Sequence, residues 1–158
     1  MGIDTQRMDT QLPGFLFYDH VAIAVKQGDL ENQVDTYKLM GFSELHREDV
    51  HGNDLVREVL LRIGDGPNLI QLLEPLSPDS PVAKQIEKNG GRGGFAHIAL
   101  RVADVHKAFH YLKENGFHII DAAPRPGSRG TTVFFVHPKT TDAAVLGYLI
   151  EVVQEGAK

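Results

Sequence analysis

A strand-like heptapeptide with a histidine at its second position occurs twice in this chain, as Asp19-His20-Val21-Ala22-Ile23-Ala24-Val25 and as Ala96-His97-Ile98-Ala99-Leu100-Arg101-Val102. In an extended chain successive side chains face opposite ways, so His20, Ala22 and Ala24 share one face and Val21, Ile23 and Val25 the other. The second copy sorts in the same way, with His97, Ala99 and Arg101 opposite Ile98, Leu100 and Val102. Alanines leave room in front of an imidazole, and the branched face suits packing under a helix. Two such strands predict two histidines brought to one shared site.

The rest of the sequence repeats around those strands. After the first, Gly28-Asp29 opens a helix with Leu30, Val34 and Tyr37 near the helical period, closed at Met40-Gly41-Phe42. Strands follow over 43–50, 55–63 and 68–73, separated by turn-forming residues. After the second, Asp104 is the N-cap of a helix with Val105, Ala108, Phe109 and Leu112 on one side, ending at Asn115-Gly116-Phe117. Strands near 118–122, 131–136 and 146–153 complete that half. His97 follows His20 by 77 positions and Gly116 follows Gly41 by 75, so the offset is nearly constant. The order predicts an α+β fold of two tandem βαβββ modules, about 15–75 and 95–154, pairing curved sheets around a metal-containing cleft. Residues 76–94 read as a linker, with a short helix around Val82 and Ile86 and a glycine-rich end, Asn89 to Gly94, that reads as a flexible connector and lacks the Lys-Ser or Lys-Thr of a P-loop. Residues 1–14 read as an N-terminal arm.

Composition limits the chemistry. A length of 158 residues fits one compact domain. A net charge of -5 argues against general nucleic-acid binding while leaving room for an anionic ligand held by local cations. With no cysteine, any transition metal must be held by nitrogen and oxygen. The first residues lack the apolar core of a signal peptide, and no apolar run approaches the ~20 residues that span a bilayer. A cytoplasmic protein with no membrane partner is the expectation.

If the first strand of each module gives one ligand, the last strand is the place to seek another. Gln71 lies within Leu69-Ile70-Gln71-Leu72-Leu73 and Glu151 within Leu149-Ile150-Glu151-Val152-Val153, each a polar residue in an apolar run. Burying either without a partner is costly, and coordination would satisfy both. The set His20, Gln71, His97 and Glu151 offers two imidazole nitrogens, an amide oxygen and a carboxylate to a divalent cation such as Co, Zn, Ni, Mn or Fe(II). Glu48 shares a strand face with His46 and Val50 and is a candidate to enter the cleft, with Asp49 as the competing choice. Of the remaining histidines only His137, before Pro138-Lys139, stands at a strand end; His46, His51, His106, His110 and His118 fall on solvated faces or turns.

These stretches, together with Ile70-Gln71-Leu72-Leu73-Glu74-Pro75, Asp79-Ser80-Pro81-Val82-Ala83, His97-Ile98-Ala99, His137-Pro138-Lys139 and Leu149-Ile150-Glu151, resemble the vicinal oxygen chelate superfamily and, within it, the methylmalonyl-CoA epimerase family, over nearly all of 18–154. The resemblance implies one vicinal oxygen chelate domain over 15–154, metal ligands at His20, Gln71, His97 and Glu151, and an acid/base glutamate at Glu48. The implied reaction interconverts (2R)- and (2S)-methylmalonyl-CoA by metal-assisted 1,1-proton transfer through an enolate, with Glu48 and Glu151 serving the two faces. Co2+ is the first choice of metal, with Zn2+, Ni2+ and Mn2+ as alternatives, and a homodimer acting on a small acyl-CoA is expected. Arg125, Arg129 and Lys139 lie in or near loops suited to coenzyme A. Residues 140–146 stand where the family has a short glycine-rich link, which leaves a related acyl-CoA such as ethylmalonyl-CoA open. The same fold also serves glyoxalase I-like lyases and metal-free ligand-binding proteins.

Overall fold

The computed structural model describes residues 11–156, so ten residues of the expected arm lie outside the described residues. It contains eight strands and three helices among those residues: β1 (Phe15–Ala24), α1 (Leu30–Leu39), β2 (Ser43–Val50), β3 (Val56–Arg62), β4 (Leu69–Pro75), α2 (Pro81–Lys88), β5 (Gly94–Val102), α3 (Val105–Glu114), β6 (Arg125–Pro126), β7 (Thr132–Val136) and β8 (Leu149–Gln154). The fold is α+β, and each half runs strand, helix, three strands. Among the described residues no helix is long and apolar enough to cross a membrane. The chain forms two compact units, the first Tyr18–Ala99 and the second made of the described residues up to Phe17 and from Leu100 onward.

In the first unit the strand order is β2-β3-β4-β1 with β5 beside β1. β1 runs parallel to β4, and β2, β3 and β4 are successive antiparallel neighbours. One face packs Val59, Leu61 and Leu72 under Leu30 and Val34 of α1. Two capping devices fix the helices. Glu74, the acid of Leu-Leu-Glu-Pro, accepts from Gly28 N at 2.9 Å and Leu30 N at 3.1 Å, so it caps α1 from another strand. Ser80, the serine of Asp-Ser-Pro, accepts from Val82 N at 3.2 Å and donates to Asp54 O at 3.0 Å, starting α2. Both glutamate and serine of those motifs are therefore architectural.

The expected connector is part of this unit. Ile86 of α2 is buried against Ala22, Ala24 and Leu73, so the linker helix covers the alanine end of the histidine face. A Cβ on Gly93 would stand 2.3 Å from the Ala24 carbonyl oxygen, a distance no side chain tolerates. At Gly93 the glycine-rich segment crosses β1 in close contact.

In the second unit, the end of β5 borders β8, followed by β7 and β6. α3 lays Val105, Ala108, Phe109 and Leu112 on Phe134, Val136 and Val152, and the Phe109 and Phe134 rings meet edge to face at 5.3 Å. Asp104 caps α3 as expected, accepting from His106 N and Lys107 N at 3.0 and 3.1 Å. Both helices of the repeat stop at a glycine with positive φ, 101° at Gly41 and 82° at Gly116.

The strand expected near 118–122 is reduced to a single bridge, Ile119 with Val136, and the two-residue β6 forms in what read as a turn. The Asp121 carboxylate accepts from Phe135 N at 2.7 Å, taking a donor the ladder would have used. Pro124 and Pro126 bring no N–H of their own. The last strand begins at Leu149 rather than 146, because Gly147 N donates to Pro138 O at 3.0 Å and closes the preceding segment into a loop.

Candidate active site

β1 and β5 bring the two repeated histidines together inside the first unit. His20 Nε2 and His97 Nε2 are 3.3 Å apart, with the rings at 70° to one another. Both side chains are buried. His20 Nδ1 lies 2.7 Å from Asp19 Oδ2, and Asp19 is fully buried. A carboxylate on Nδ1 holds that nitrogen protonated and leaves Nε2 as a lone pair, the arrangement that orients metal-bound imidazoles. Two imidazole nitrogens about 2.0–2.1 Å from one ion at a tetrahedral angle would be roughly 3.3 Å apart. The observed separation has that span.

Gln71 stands two register positions along the β1–β4 ladder from His20. It lies on β4 opposite Ala22 of β1 and Leu60 of β3, so it shares the face of His20. It is 6% exposed, and its Oε1 has no hydrogen-bond partner among the described residues. An orphaned buried amide oxygen costs about 1–3 kcal/mol. A cation would satisfy it, so the two imidazoles and this amide fit a divalent metal.

Glu48 occupies the same face on β2, but at its edge. Its side chain is about one-third exposed and bonded to His46 Nε2 at 2.8 Å. Asp49 points the other way and is pinned by Arg57 at 2.7 and 3.1 Å; those hydrogen bonds hold its carboxyl below the usual range, which removes it as the alternative to Glu48. Directly across from Glu48 in the β2–β3 ladder stands Glu58, which is 1% exposed. Sequence reasoning passed over Glu58. Val56-Arg57-Glu58-Val59-Leu60 sets an acid between apolar residues on one strand face, the same signal that singled out Gln71, with the flanking Arg57 giving the stretch an exposed look.

Glu151 belongs to the second unit, half-buried on β8 opposite Phe135. Of the loop cations, Arg125 is bound to Asp121 at 2.8 Å and lies over Phe135. His137 Nδ1 accepts from Lys139 N at 2.9 Å, a turn contact, and His118 bonds Asp142 at 2.9 Å.

A repeated strand–helix–three-strand unit with paired imidazoles on its first strands defines a metal-site fold rather than a particular reaction. Residues 19–135 match the Glyoxalase/Bleomycin resistance protein/Dioxygenase superfamily, and the chain belongs to it. Within that superfamily its relatives are narrower. It is 35% identical over 138 residues to an ethylmalonyl-CoA/methylmalonyl-CoA epimerase of Cereibacter sphaeroides, covering 86% of this chain and 96% of that one. The crystal structure of methylmalonyl-CoA epimerase from Mycobacterium tuberculosis superposes with a TM-score of 0.81 at 30% identity, over 93% of each chain. A methylmalonyl-CoA epimerase in complex with methylmalonyl-CoA and NH4+ superposes at 0.78 with 36% identity, over 90% of this chain and 96% of that one.

Proposed function

We propose that this chain is an acyl-CoA epimerase that interconverts (2R)- and (2S)-methylmalonyl-CoA by 1,1-proton transfer. The observation that carries the reading is a face bearing two imidazoles, an unsatisfied amide oxygen and a buried carboxylate, in a chain whose relatives are named as epimerases of this substrate.

His20, Gln71, His97 and Glu151 would hold a divalent metal, which when bound would supply Lewis-acid stabilisation to the negative charge developing on the thioester oxygen. Co2+ is the metal we assign, ahead of Zn2+, Ni2+ and Mn2+. Asp19 keeps the Nδ1 proton on His20 so that its Nε2 is available. Inversion at the α-carbon needs one group to take the proton and another to return a proton on the opposite face. Glu58 and Glu151 are assigned those roles, which exchange with reaction direction. The resemblance points to Glu48 for the first role; Glu58 is preferred because it is buried on the ligand face, whereas Glu48 is partly solvated and engaged with His46. We assign the chain to a cytoplasmic homodimer, which light scattering of the purified protein tests for mass.

Solvent-deuterium exchange at the α-carbon of methylmalonyl-CoA by metal-loaded protein is the direct test, with methylglyoxal plus glutathione as the parallel assay for lyase activity. Exchange in the first and none in the second supports the reading. No exchange by metal-loaded protein would end it.

A further inference from the structure

Inversion with two proton-carrying groups leaves an enzyme in the wrong protonation state for its next turnover. The group that took a proton on one face still holds it, and the group that delivered one on the other face has lost it. Before the same epimer can react again, the first group must release its proton to water. Glu58 is 1% exposed, so it needs a path by which to do so.

The ladder offers that path on one side alone. Strand alternation puts Val56, Glu58 and Leu60 of β3 on one face. On the β4 side Leu73 stands opposite Glu58. Val56, Leu60 and Leu73 are buried, and Ile86 of α2 packs with Val56 and Leu73. These side chains cannot carry a proton. On the β2 side the residue opposite Glu58 is Glu48. Side chains directly opposite in an antiparallel ladder have Cβ atoms about 4.5–5.5 Å apart, so two glutamates there can meet directly or through one water.

Glu48 in turn leads outward. Its Oε1 lies 2.8 Å from His46 Nε2, and both side chains are about one-third exposed. An imidazole is suited to passing protons between a carboxylate and water. The charges that alternate with this pair along β2 are engaged elsewhere, Arg47 with Glu31 and Glu44 and Asp49 with Arg57. β2 therefore sorts its polar groups, with ion pairs on one face and a carboxylate and imidazole on the face shared with Glu58.

We propose that Glu48 and His46 form a proton relay that returns Glu58 to its ionised form, fast enough to act while the enolate is still bound. The relay rests on the epimerase reading above, with Glu58 serving one face of the α-carbon. The C–H bond breaks, its electron pair passes into the enolate and its proton to Glu58. Glu58 hands that proton to the Glu48 carboxylate, Glu48 to His46 Nε2, and the imidazolium to water. A proton from water restores the group serving the other face, so the protons balance over one turnover. Glu48 and His46 both act through Glu58.

The test uses the full metal-loaded chain in deuterium oxide, started separately from (2R)- and (2S)-methylmalonyl-CoA. Early in the reaction, deuterium in the recovered substrate is compared with conversion to product. The wild type should label recovered substrate, because Glu58 trades its proton through the relay before returning one. From the epimer whose proton Glu58 takes, Glu48→Gln should lower the ratio of label to conversion on the order of tenfold, with kcat within about tenfold of wild type. His46→Gln should lower it less, since Glu48 itself reaches solvent. From the other epimer neither variant should change the ratio, and Asp49→Asn, the same loss of charge on the other face of β2, should change it from neither. An unchanged ratio in Glu48→Gln overturns the relay even if turnover falls, because lost positioning lowers exchange and conversion together. Product formation by the wild type without label in recovered substrate also overturns it. A wild type with neither turnover nor exchange overturns the epimerase reading itself, and the relay with it.

Discussion

The closing strands of the two units carry one ladder with different chemistry. In the first unit Gln71 is opposite Leu60 and, two residues on, Leu73 is opposite Glu58; in the second Glu151 is opposite Phe135 and Val153 is opposite Val133. Where one repeat has an amide and a buried carboxylate, the other has a carboxylate and a valine. The second strands differ in the same sense, for β2 is eight residues long and its counterpart has shrunk to a bridge and the two residues of β6. Duplication has kept polar side chains at matching places on first and last strands, His20 and Gln71 in one copy and His97 and Glu151 in the other. It has not kept the carboxylate of β3, present in one copy alone. On the proposed function the symmetric positions hold the metal, Glu151 among them also serving one face of the α-carbon, and the asymmetric Glu58 serves the other.

That division can be broken most severely at β3. Glu58→Gln should lower turnover by roughly 10²–10⁴-fold while metal content stays at the wild-type level, and Glu48→Gln should stay within about tenfold of wild type. Kinetics with parallel metal analysis checks both, and the reverse ranking would return the role to Glu48. Next come the symmetric positions. His97→Ala should lose the metal on dialysis, whereas Asp19→Asn, which removes only the partner of His20 Nδ1, should weaken metal affinity by about 10–100-fold with the fold intact by circular dichroism. The motif residues with architectural roles should show the smallest effects, and on stability instead of chemistry. Ser80→Ala removes a buried cap and a bond to the Asp54 carbonyl and should cost about 1–2 kcal/mol in urea unfolding. Glu74→Ala, which uncaps α1, should cost about 1 kcal/mol and leave kcat unchanged.

Much of this architecture is written locally. The alternation of His20, Ala22 and Ala24, the helical spacing of Leu30 and Val34 or of Val105 and Phe109, and the Gly-Phe pairs after both helices are short-range signals, and the elements lie within a few residues of where those signals put them. What escaped is long-range. Nothing in the spacing of Val82 and Ile86 says that α2 will lie on Ala22 and Ala24, and Gly93 reads as flexible until the Ala24 carbonyl is seen against it. The architectural roles of Glu74 and Ser80 are hidden in the sequence because their hydrogen bonds go to Gly28, Leu30 and Asp54, far along the chain. The strand near His118 failed for a chemical reason, since Asp121 takes the Phe135 amide and two prolines follow. For the site, histidine pairing was legible because the two copies match. Glu58 was not, because it has no match.

The central claim is that Glu58 serves one face of the α-carbon and a different group serves the other. It is tested most directly by following solvent-deuterium exchange with metal-loaded Glu58→Gln, starting separately from (2R)- and (2S)-methylmalonyl-CoA. The account predicts exchange from one epimer without inversion and little or none from the other. Exchange from both epimers at wild-type rates would contradict it.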